Sequence, residues 1–196
     1  MRILLLRHGQ VDAGGVAYGA RVDPPLSAHG RSEATALASR LHLDDADGPV
    51  HVVRSPTRRA EETAGLVGLE VDTIDAGWRE RDLGDWEGRA WDELWAEAPA
   101  AIRTDPQAFA AFTPPDGETF EELRARVVDA LERLVAFNDG KGSAVVVCHG
   151  GPITHIVGHV LELTSTVALR LRVSTATVTE LSAWGEGRFT LDRFSA

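Results

Sequence analysis

The sequence places an arginine, a histidine and a glycine directly after its first apolar run. The run is Ile3 to Leu6, and the tripeptide after it is Arg7-His8-Gly9. A short continuous apolar run is typical of a strand in a parallel sheet covered on both faces, and such sheets bind ligands beyond the carboxyl ends of their strands. Arg fits the planar face of a phosphate or carboxylate, His can be a neutral nucleophile, and Gly lets a ligand approach the backbone. The tripeptide therefore predicts a ligand site at a strand end.

Two further strand ends carry related residues. The apolar run 144–147 is followed by Cys148-His149-Gly150, and the run 50–53 leads into a helix whose first turns carry Arg58 and Arg59. Because the carboxyl ends of parallel strands share one edge of a sheet, we expect these side chains to converge on one crevice. Two His and two Arg around a helix N-terminus form a pocket for a tetrahedral dianion, and this set of residues requires no metal or other cofactor.

Helix and strand patterns alternate along the first half of the chain, which favours a doubly wound parallel sheet. The predicted helices lie at 27–42, about 57–69, 89–96, 117–137 and 152–163. A polar turn is predicted at 44–49, and a third strand at 71–74. In the tail, apolar and polar residues alternate, which predicts edge strands and a hairpin. These tail segments are 169–173, 177–184 and 189–194.

The segment 89–115 differs in character from the regions on either side of it. It holds Trp91, Trp95, Phe109 and Phe112 between prolines and charged residues. Short helices that pass over the sheet explain this composition better than a second domain does. We therefore expect one domain over residues 1–196, with 89–115 as a helical excursion over the active site.

Composition narrows the function classes. The formal charge of −10 and the pI near 5.1 argue against nucleic acid or an acidic membrane surface as a partner, because both need a basic face. Cys148 is the only cysteine, so an internal disulfide is excluded. The apolar run after Met1 is too short for a signal-peptide core or a membrane span, and a cytoplasmic location is the resulting expectation. The oligomeric state stays open, with a homodimer as one candidate.

Six segments, in this order and spacing, resemble the successive motifs of the histidine phosphatase superfamily, also called phosphoglycerate-mutase-like. They are RHGQ at 7–10, PLSAHGRSEA at 25–34, SPTRRAEETA at 55–64, ERDLGDWEG at 80–88, DGETFEELRARV at 116–127 and VVCHGGPI at 146–153. Within the family, ERDLGDWEG and the later GETF are most similar to small phosphatases such as α-ribazole phosphatase. The expected fold is a three-layer α/β/α sandwich with a mostly parallel sheet and antiparallel edge strands.

The resemblance implies a role for each of the residues that match the motifs. His8 is the nucleophile that becomes phosphohistidine, and Glu80 is the proton donor. Arg7, Arg59 and a protonated His149 bind the phosphoryl group. These roles fit phosphoryl transfer, which needs an in-line nucleophile, positive charge on the equatorial oxygens and an acid for the leaving group. Additional pocket residues are predicted at Gly9, Gln10, Arg21 and Gly150.

The resulting prediction is a metal-independent phosphomonoester hydrolase acting on a small phosphorylated metabolite, with α-ribazole phosphate and sugar phosphates as candidates. A cofactor-dependent phosphoglycerate mutase is the first alternative; it ranks lower because 89–115 offers only Arg89 and Arg103 for a second phosphate. The second alternative is a non-catalytic module that binds a phosphorylated ligand. Gly14 mildly favours it, because many members of the family carry an Asn there that touches the phosphate, whereas the intact His8, Arg59, Glu80 and His149 speak against it. Val11 is a second departure, since many members carry Ser or Thr at that position.

Overall fold

Six strands form one mixed sheet in the computed structural model, which describes residues 1–41, 43, 50–185 and 187–196. The strands are β1 (Arg2–Arg7), β2 (Val50–Arg54), β3 (Thr73–Ile74), β4 (Ser143–Cys148), β5 (Val178–Ala183) and β6 (Phe189–Arg193). Their order is β3-β2-β4-β1-β5-β6, with the first four parallel and β5 and β6 antiparallel to their neighbours. The predicted mostly parallel sheet with antiparallel edge strands is confirmed.

Helices cover both faces of this sheet. They are α1 (Ala28–Ala38), α2 (Arg58–Val67), α3 (Trp91–Glu97), α4 (Ala100–Thr104), α5 (Pro106–Ala111), α6 (Phe120–Phe137), α7 (Gly150–Val160) and α8 (Ser165–Ala168). Successive side chains of β1 point to opposite faces: Ile3 and Leu5 pack with α6 and α7, whereas Leu4 and Leu6 pack with α1 and α2. The apolar run is continuous because both faces are buried, and the three-layer sandwich is confirmed.

Local signals explain where the helices begin. Ser27 caps α1 and accepts a hydrogen bond from the Gly30 amide, and Thr119 with Glu122 forms a capping box at the start of α6. The polar turn predicted at 44–49 lies outside the described residues. Among the helices of the described residues, none combines the length and the apolarity needed to cross a membrane.

The prediction of a strand at 169–173 is wrong. The chain forms the short α8, then a turn at 169–170 and an irregular segment that belongs to no strand. Leu169, Leu171 and Val173 instead pack against the core cluster on the α6 and α7 face. Their alternating pattern therefore arises from packing of one side of this segment on the core, not from sheet pairing.

The segment 89–115 folds into α3, α4 and α5 around an apolar cluster of its own. Trp86, Leu94 and Ile102 are buried in that cluster. Trp91 stacks on Trp95 with the ring centroids 5.9 Å apart. Aromatic side chains of this size can hold short helices together by burial without a sheet beneath them.

Candidate active site

Two buried histidines meet at the carboxyl ends of the central strands. β1 and β4 are parallel with Arg7 opposite Cys148, so His8 and His149 follow at the same level. The His8 amide donates to the Cys148 carbonyl oxygen at 3.0 Å. The two imidazole centroids lie 5.1 Å apart. The strand ends thus bring both histidines to one place, as expected for a parallel sheet.

The His8 imidazole is held in one tautomer. Its Nδ1 lies 2.7 Å from the Gly9 carbonyl oxygen, which can only accept, so Nδ1 carries the proton and Nε2 carries the lone pair. Burial, together with the charges of Arg59 and Arg7, lowers the pKa of His8 from 6.5 to about 3. At neutral pH His8 is therefore uncharged, with a nucleophilic Nε2.

His149 is neutral as well. The Arg59 guanidinium donates from Nε to His149 Nδ1 at 3.2 Å, so Nδ1 accepts and the ring proton is on Nε2, 2.8 Å from Ser55 Oγ. Burial, then the charge of Arg59, holds the pKa of His149 well below its ordinary value of 6.5. The adjacent guanidinium and the burial both oppose a second charge in the site without substrate. The protonated His149 expected on the bound phosphoryl group stays a prediction.

Arg59 is the most enclosed cation of the site. It is fully buried and donates to Asp23 Oδ1 at 2.8 Å and to the Gly19 carbonyl oxygen at 2.6 Å. Asp23 also accepts a hydrogen bond from the Arg58 amide at the start of α2. The Arg58 side chain instead reaches Glu62 on the surface at 2.7 Å. Of the two adjacent arginines, only Arg59 therefore belongs to the site.

Arg7 approaches the histidines from the other side. One of its terminal nitrogens donates to the Val173 carbonyl oxygen. Its Nε is buried and has no hydrogen-bond partner within the described part of the chain. Because buried polar atoms in native proteins are nearly always paired, this N–H is free to bind an anion that enters the site.

Glu80 lies in the segment that follows β3 and lines the same cleft as His8. Its carboxylate accepts hydrogen bonds from the Gly151 amide at 3.2 Å and from the Arg81 amide at 2.9 Å. A Cβ at position 151 would collide with Glu80 Oε1, so any other residue there would displace the Glu80 carboxyl group from this position. Gly151 was not among the predicted site residues, although it stands in the motif next to Gly150.

His8 and Glu80 line the same cleft, which we call the His8 cleft. Its volume is about 430 Å³. The remaining lining residues are mostly apolar or aromatic, with a few polar groups among them. They are Arg7, Tyr18, Arg81, Leu83, Trp91, Phe109, Phe120, Leu123, Gly151, Thr154, His155, Leu169 and Leu171. The cleft joins His8 and Arg7 to an apolar chamber, an arrangement suited to a phosphate ester. Arg59 and His149 lie next to His8 but are not among the described residues that line the cleft.

Two of the additional residues predicted for the pocket are held by packing against α1. A Cβ on Gly9 would overlap the Gly30 carbonyl oxygen, so the structure explains this glycine by close packing of two backbone segments. Gln10 is exposed, and its side-chain oxygen accepts a hydrogen bond from Ser27 Oγ at 3.0 Å.

Gly150 and Arg21 are the other two residues predicted for the pocket, and only Gly150 lies beside a cation of the site. A Cβ on Gly150 would lie 3.4 Å from the Arg7 guanidinium carbon, which is an ordinary contact beside the pocket. Arg21 is exposed and donates to Asp82 and Asp116, each at 3.0 Å. It is not among the described residues that line the His8 cleft.

Ser55 and Asp23 are functional candidates that sequence analysis did not assign. Ser55 follows β2 as His8 follows β1, and its position at a strand end was the available signal. Asp23 precedes two prolines in a polar loop, where only the fold shows that it reaches Arg59. Among the described residues, no group of three or more His, Cys, Asp and Glu side chains is arranged to hold a metal ion.

Comparison with known proteins places the chain among phosphatases. A sequence model of the histidine phosphatase superfamily (branch 1) matches residues 3–196. The chain is 34% identical over 173 residues to the glucosyl-3-phosphoglycerate phosphatase of Mycobacterium tuberculosis, covering 83% of this chain and 76% of that protein. It is 29% identical over 181 residues to a metal-independent phosphoserine phosphatase of Arabidopsis thaliana, covering 83% and 70%.

Solved structures agree with these sequence matches. The α-ribazole phosphatase from Shigella flexneri superposes with a TM-score of 0.83 at 25% identity, covering 100% of this chain and 96% of the other. The native structure of a mycobacterial glucosyl-3-phosphoglycerate phosphatase gives a TM-score of 0.83 at 31% identity, covering 100% and 98%. Fold and sequence therefore indicate the same family.

Proposed function

Because the chain belongs to the histidine phosphatase superfamily and is a phosphoric monoester hydrolase, we propose that His8 is its nucleophile. The His8 Nε2 lone pair forms a bond to phosphorus while the bond from phosphorus to the ester oxygen breaks. Glu80 gives its proton to the departing oxygen, which leaves as the neutral alcohol. Water then attacks the phosphohistidine, Glu80 takes a proton from that water, and inorganic phosphate leaves His8 neutral.

The observation that carries this proposal is the fixed tautomer of His8. Nδ1–H is committed to the Gly9 carbonyl oxygen, so Nε2 is the ring atom with a lone pair, and His8 and Glu80 line one cleft. A nucleophile and an acid that share a cleft satisfy the basic geometric requirement for double displacement at phosphorus.

The phosphoryl oxygens are proposed to bind Arg7, Arg59 and His149. Arg7 offers its unpartnered Nε–H. Arg59 is aimed by Asp23 and Gly19, and each of its terminal nitrogens has a second N–H. His149 can turn its Nε2–H from Ser55 to a phosphoryl oxygen. Donors fixed in advance stabilise the transition state without having to reorganise during the reaction.

The substrate is proposed to be a small phosphorylated metabolite, as for relatives named as glucosyl-3-phosphoglycerate and α-ribazole phosphatases. The segment 89–115 would cover the alcohol half of the substrate, which is the leaving group of the phosphate ester, because Trp91 and Phe109 line the cleft. A mutase would have to hold a second phosphate. Arg89 is paired with Glu97, and Arg103 donates to the Trp95 carbonyl oxygen, so neither basic residue of 89–115 supports that alternative.

The experiment is phosphate release from p-nitrophenyl phosphate and a panel of metabolite phosphomonoesters in excess chelator, comparing wild type with His8→Ala. We expect release by the wild type only, and an acid-labile phosphoprotein after rapid quenching with labelled substrate. Release by both proteins would remove His8 from its role. Transfer of label to added phosphoglycerate would favour the mutase, and vanadate binding without turnover would favour the binding module.

Besides the residue roles, the single domain over 1–196, the cytoplasmic location and the absence of nucleic-acid and membrane partners stay predictions. The oligomeric state stays open.

A further inference from the structure

His155 differs from the other buried histidines of the site. It lies on α7 and is 1% exposed. Neither of its ring nitrogens has a hydrogen-bond partner in the parts of the chain that the structure describes. By contrast, His8 is bonded to Gly9, and His149 to Arg59 and Ser55. Buried polar atoms without partners are rare and costly, so His155 requires an explanation.

The position of His155 supplies that explanation. The imidazole is part of the wall of the His8 cleft and stacks on Phe120, with the ring centroids 5.6 Å apart. The charged groups that face it are Arg124, Glu121, Arg81 and Glu118, two of each sign. Burial, then Arg124, lowers the pKa of His155 from 6.5 to about 4, so the ring is neutral at neutral pH and offers one N–H and one lone pair.

We infer that His155 binds an uncharged hydroxyl group on the alcohol half of the substrate. A hydroxyl both donates and accepts, so it can pair with either nitrogen of a neutral imidazole. This inference rests on the proposed function, because it assigns the leaving group to the part of the cleft beyond His8 and Glu80. His155 is thus a specificity-determining residue.

The rest of the chamber narrows the substrate class. Trp91, Phe109 and Leu171 provide apolar wall. The Arg81 guanidinium carbon lies 3.6 Å from the centroid of the Phe120 ring, and the group donates to the carbonyl oxygens of Glu118 and Phe112 at 2.8 Å each, so two of its five N–H groups bond to the backbone. The substrate is therefore a phosphate ester of an alcohol that has an apolar face and a further neutral hydroxyl.

α7 provides a matched control. His159 lies one turn after His155 and faces Phe189 at 6.4 Å between ring centroids. It is not among the described residues that line the His8 cleft. A substitution at His159 alters the same helix without altering the chamber.

The first arm of the test is kinetic. Glucose 6-phosphate and its monodeoxy analogues, with phenyl phosphate as the ester that has no further hydroxyl, are compared in wild type, His155→Leu, His155→Gln and His159→Leu. We expect His155→Leu to lower kcat/KM for at least one hydroxylated ester by about 30-fold and to match the effect of deleting one hydroxyl, while phenyl phosphate changes less than about threefold. His155→Gln, which keeps a donor and an acceptor, should recover most of the loss, and His159→Leu should cause none. Equal losses on phenyl phosphate and on the sugar esters would overturn the inference.

The second arm does not depend on turnover. If the His155 nitrogens await a substrate, His155→Leu removes two unpaired polar atoms from the free protein and raises Tm by about 3 °C. A lower Tm would show that the imidazole serves the fold, and would overturn the inference. Failure of the wild type to hydrolyse any ester would count against the proposed function, whereas the Tm comparison would still decide the state of His155.

Discussion

The two ends of the His8 cleft are built in different ways. At the end proposed to hold the phosphoryl group, His8 lies beside the buried Arg59 and His149, which are both hydrogen-bonded. At the end proposed to hold the alcohol, the helical segment 89–115, α6 and α7 supply an apolar wall in which His155 has no hydrogen-bond partner among the described residues.

This difference separates chemistry from selectivity. Directional hydrogen bonds among buried groups lose much of their energy when one partner moves, so the phosphoryl end has to keep a single geometry for every substrate. Apolar contacts are non-directional and scale with buried area, so the alcohol end can change shape at lower cost. We therefore expect substitutions at the phosphoryl end to affect all esters equally, and substitutions at the alcohol end to change their ranking.

The largest effect is expected from Arg59→Lys. Lysine keeps the charge but cannot bond to His149, Asp23 and Gly19 in the fixed fork of a guanidinium. We expect kcat/KM to fall about 10³-fold on every ester. The control is Arg58→Lys on the exposed side of the same helix, which should stay within about twofold of wild type. A loss confined to a few esters would contradict the separation of the two ends.

Gly151→Ala tests how Glu80 is placed. The added methyl group would collide with Glu80 Oε1 and displace the carboxyl group from the leaving oxygen. We expect kcat to fall about 10²-fold for alkyl esters and much less for p-nitrophenyl phosphate, whose leaving group needs little help from an acid. Stopped assays of phosphate release from both ester types measure the two kcat values.

Gly150→Ala is the matched control, because its methyl group would make an ordinary 3.4 Å contact with Arg7. It should keep the ratio between alkyl and aryl esters at the wild-type value. Equal losses for the two ester types in Gly151→Ala would exclude Glu80 as the acid.

The pH dependence of stability compares the two ends in one experiment. The pKa values of His8 and His155 are lowered from 6.5 to about 3 and about 4, and that of His149 is lowered as well. At pH values between 6.5 and these lowered pKa values, the unfolded chain binds more protons than the folded chain. The free energy of unfolding therefore falls as the pH falls through this range. The contribution of these residues is fully present above pH 6.5.

Each such histidine contributes a slope of up to about 1.4 kcal/mol per pH unit. His155→Leu should therefore flatten the fall in unfolding free energy between pH 6 and pH 5 by about that amount, as measured by urea unfolding. An unchanged slope would mean that His155 is already charged in the folded protein at those pH values.

The sheet and its strand ends were predictable because buried parallel strands are recorded in the sequence as continuous apolar runs. The irregular segment after α8 was not, because Leu171 and Val173 alternate with polar residues as in a strand while they pack against the core. The neutral state of His149 in the site without substrate was not predictable, because it depends on the nitrogen that Arg59 contacts, a fact of three-dimensional geometry. Asp23 was missed for the same reason, since its partner lies 36 residues away.

Trp91→Ala is expected to have the smallest effect and tests the alcohol end alone. Trp91 lines the His8 cleft, whereas Trp95, which stacks on it, belongs to the same apolar cluster behind that wall. Loss of the indole surface should raise KM about fivefold for bulky apolar esters and leave inhibition by inorganic phosphate unchanged, because phosphate contacts only the other end. Trp95→Ala, as the control, should lower Tm without changing the order of preference among esters. If Trp91→Ala weakened phosphate inhibition as much as ester binding, the helical segment would be supporting the phosphoryl pocket, and chemistry and selectivity would not be separable in this cleft.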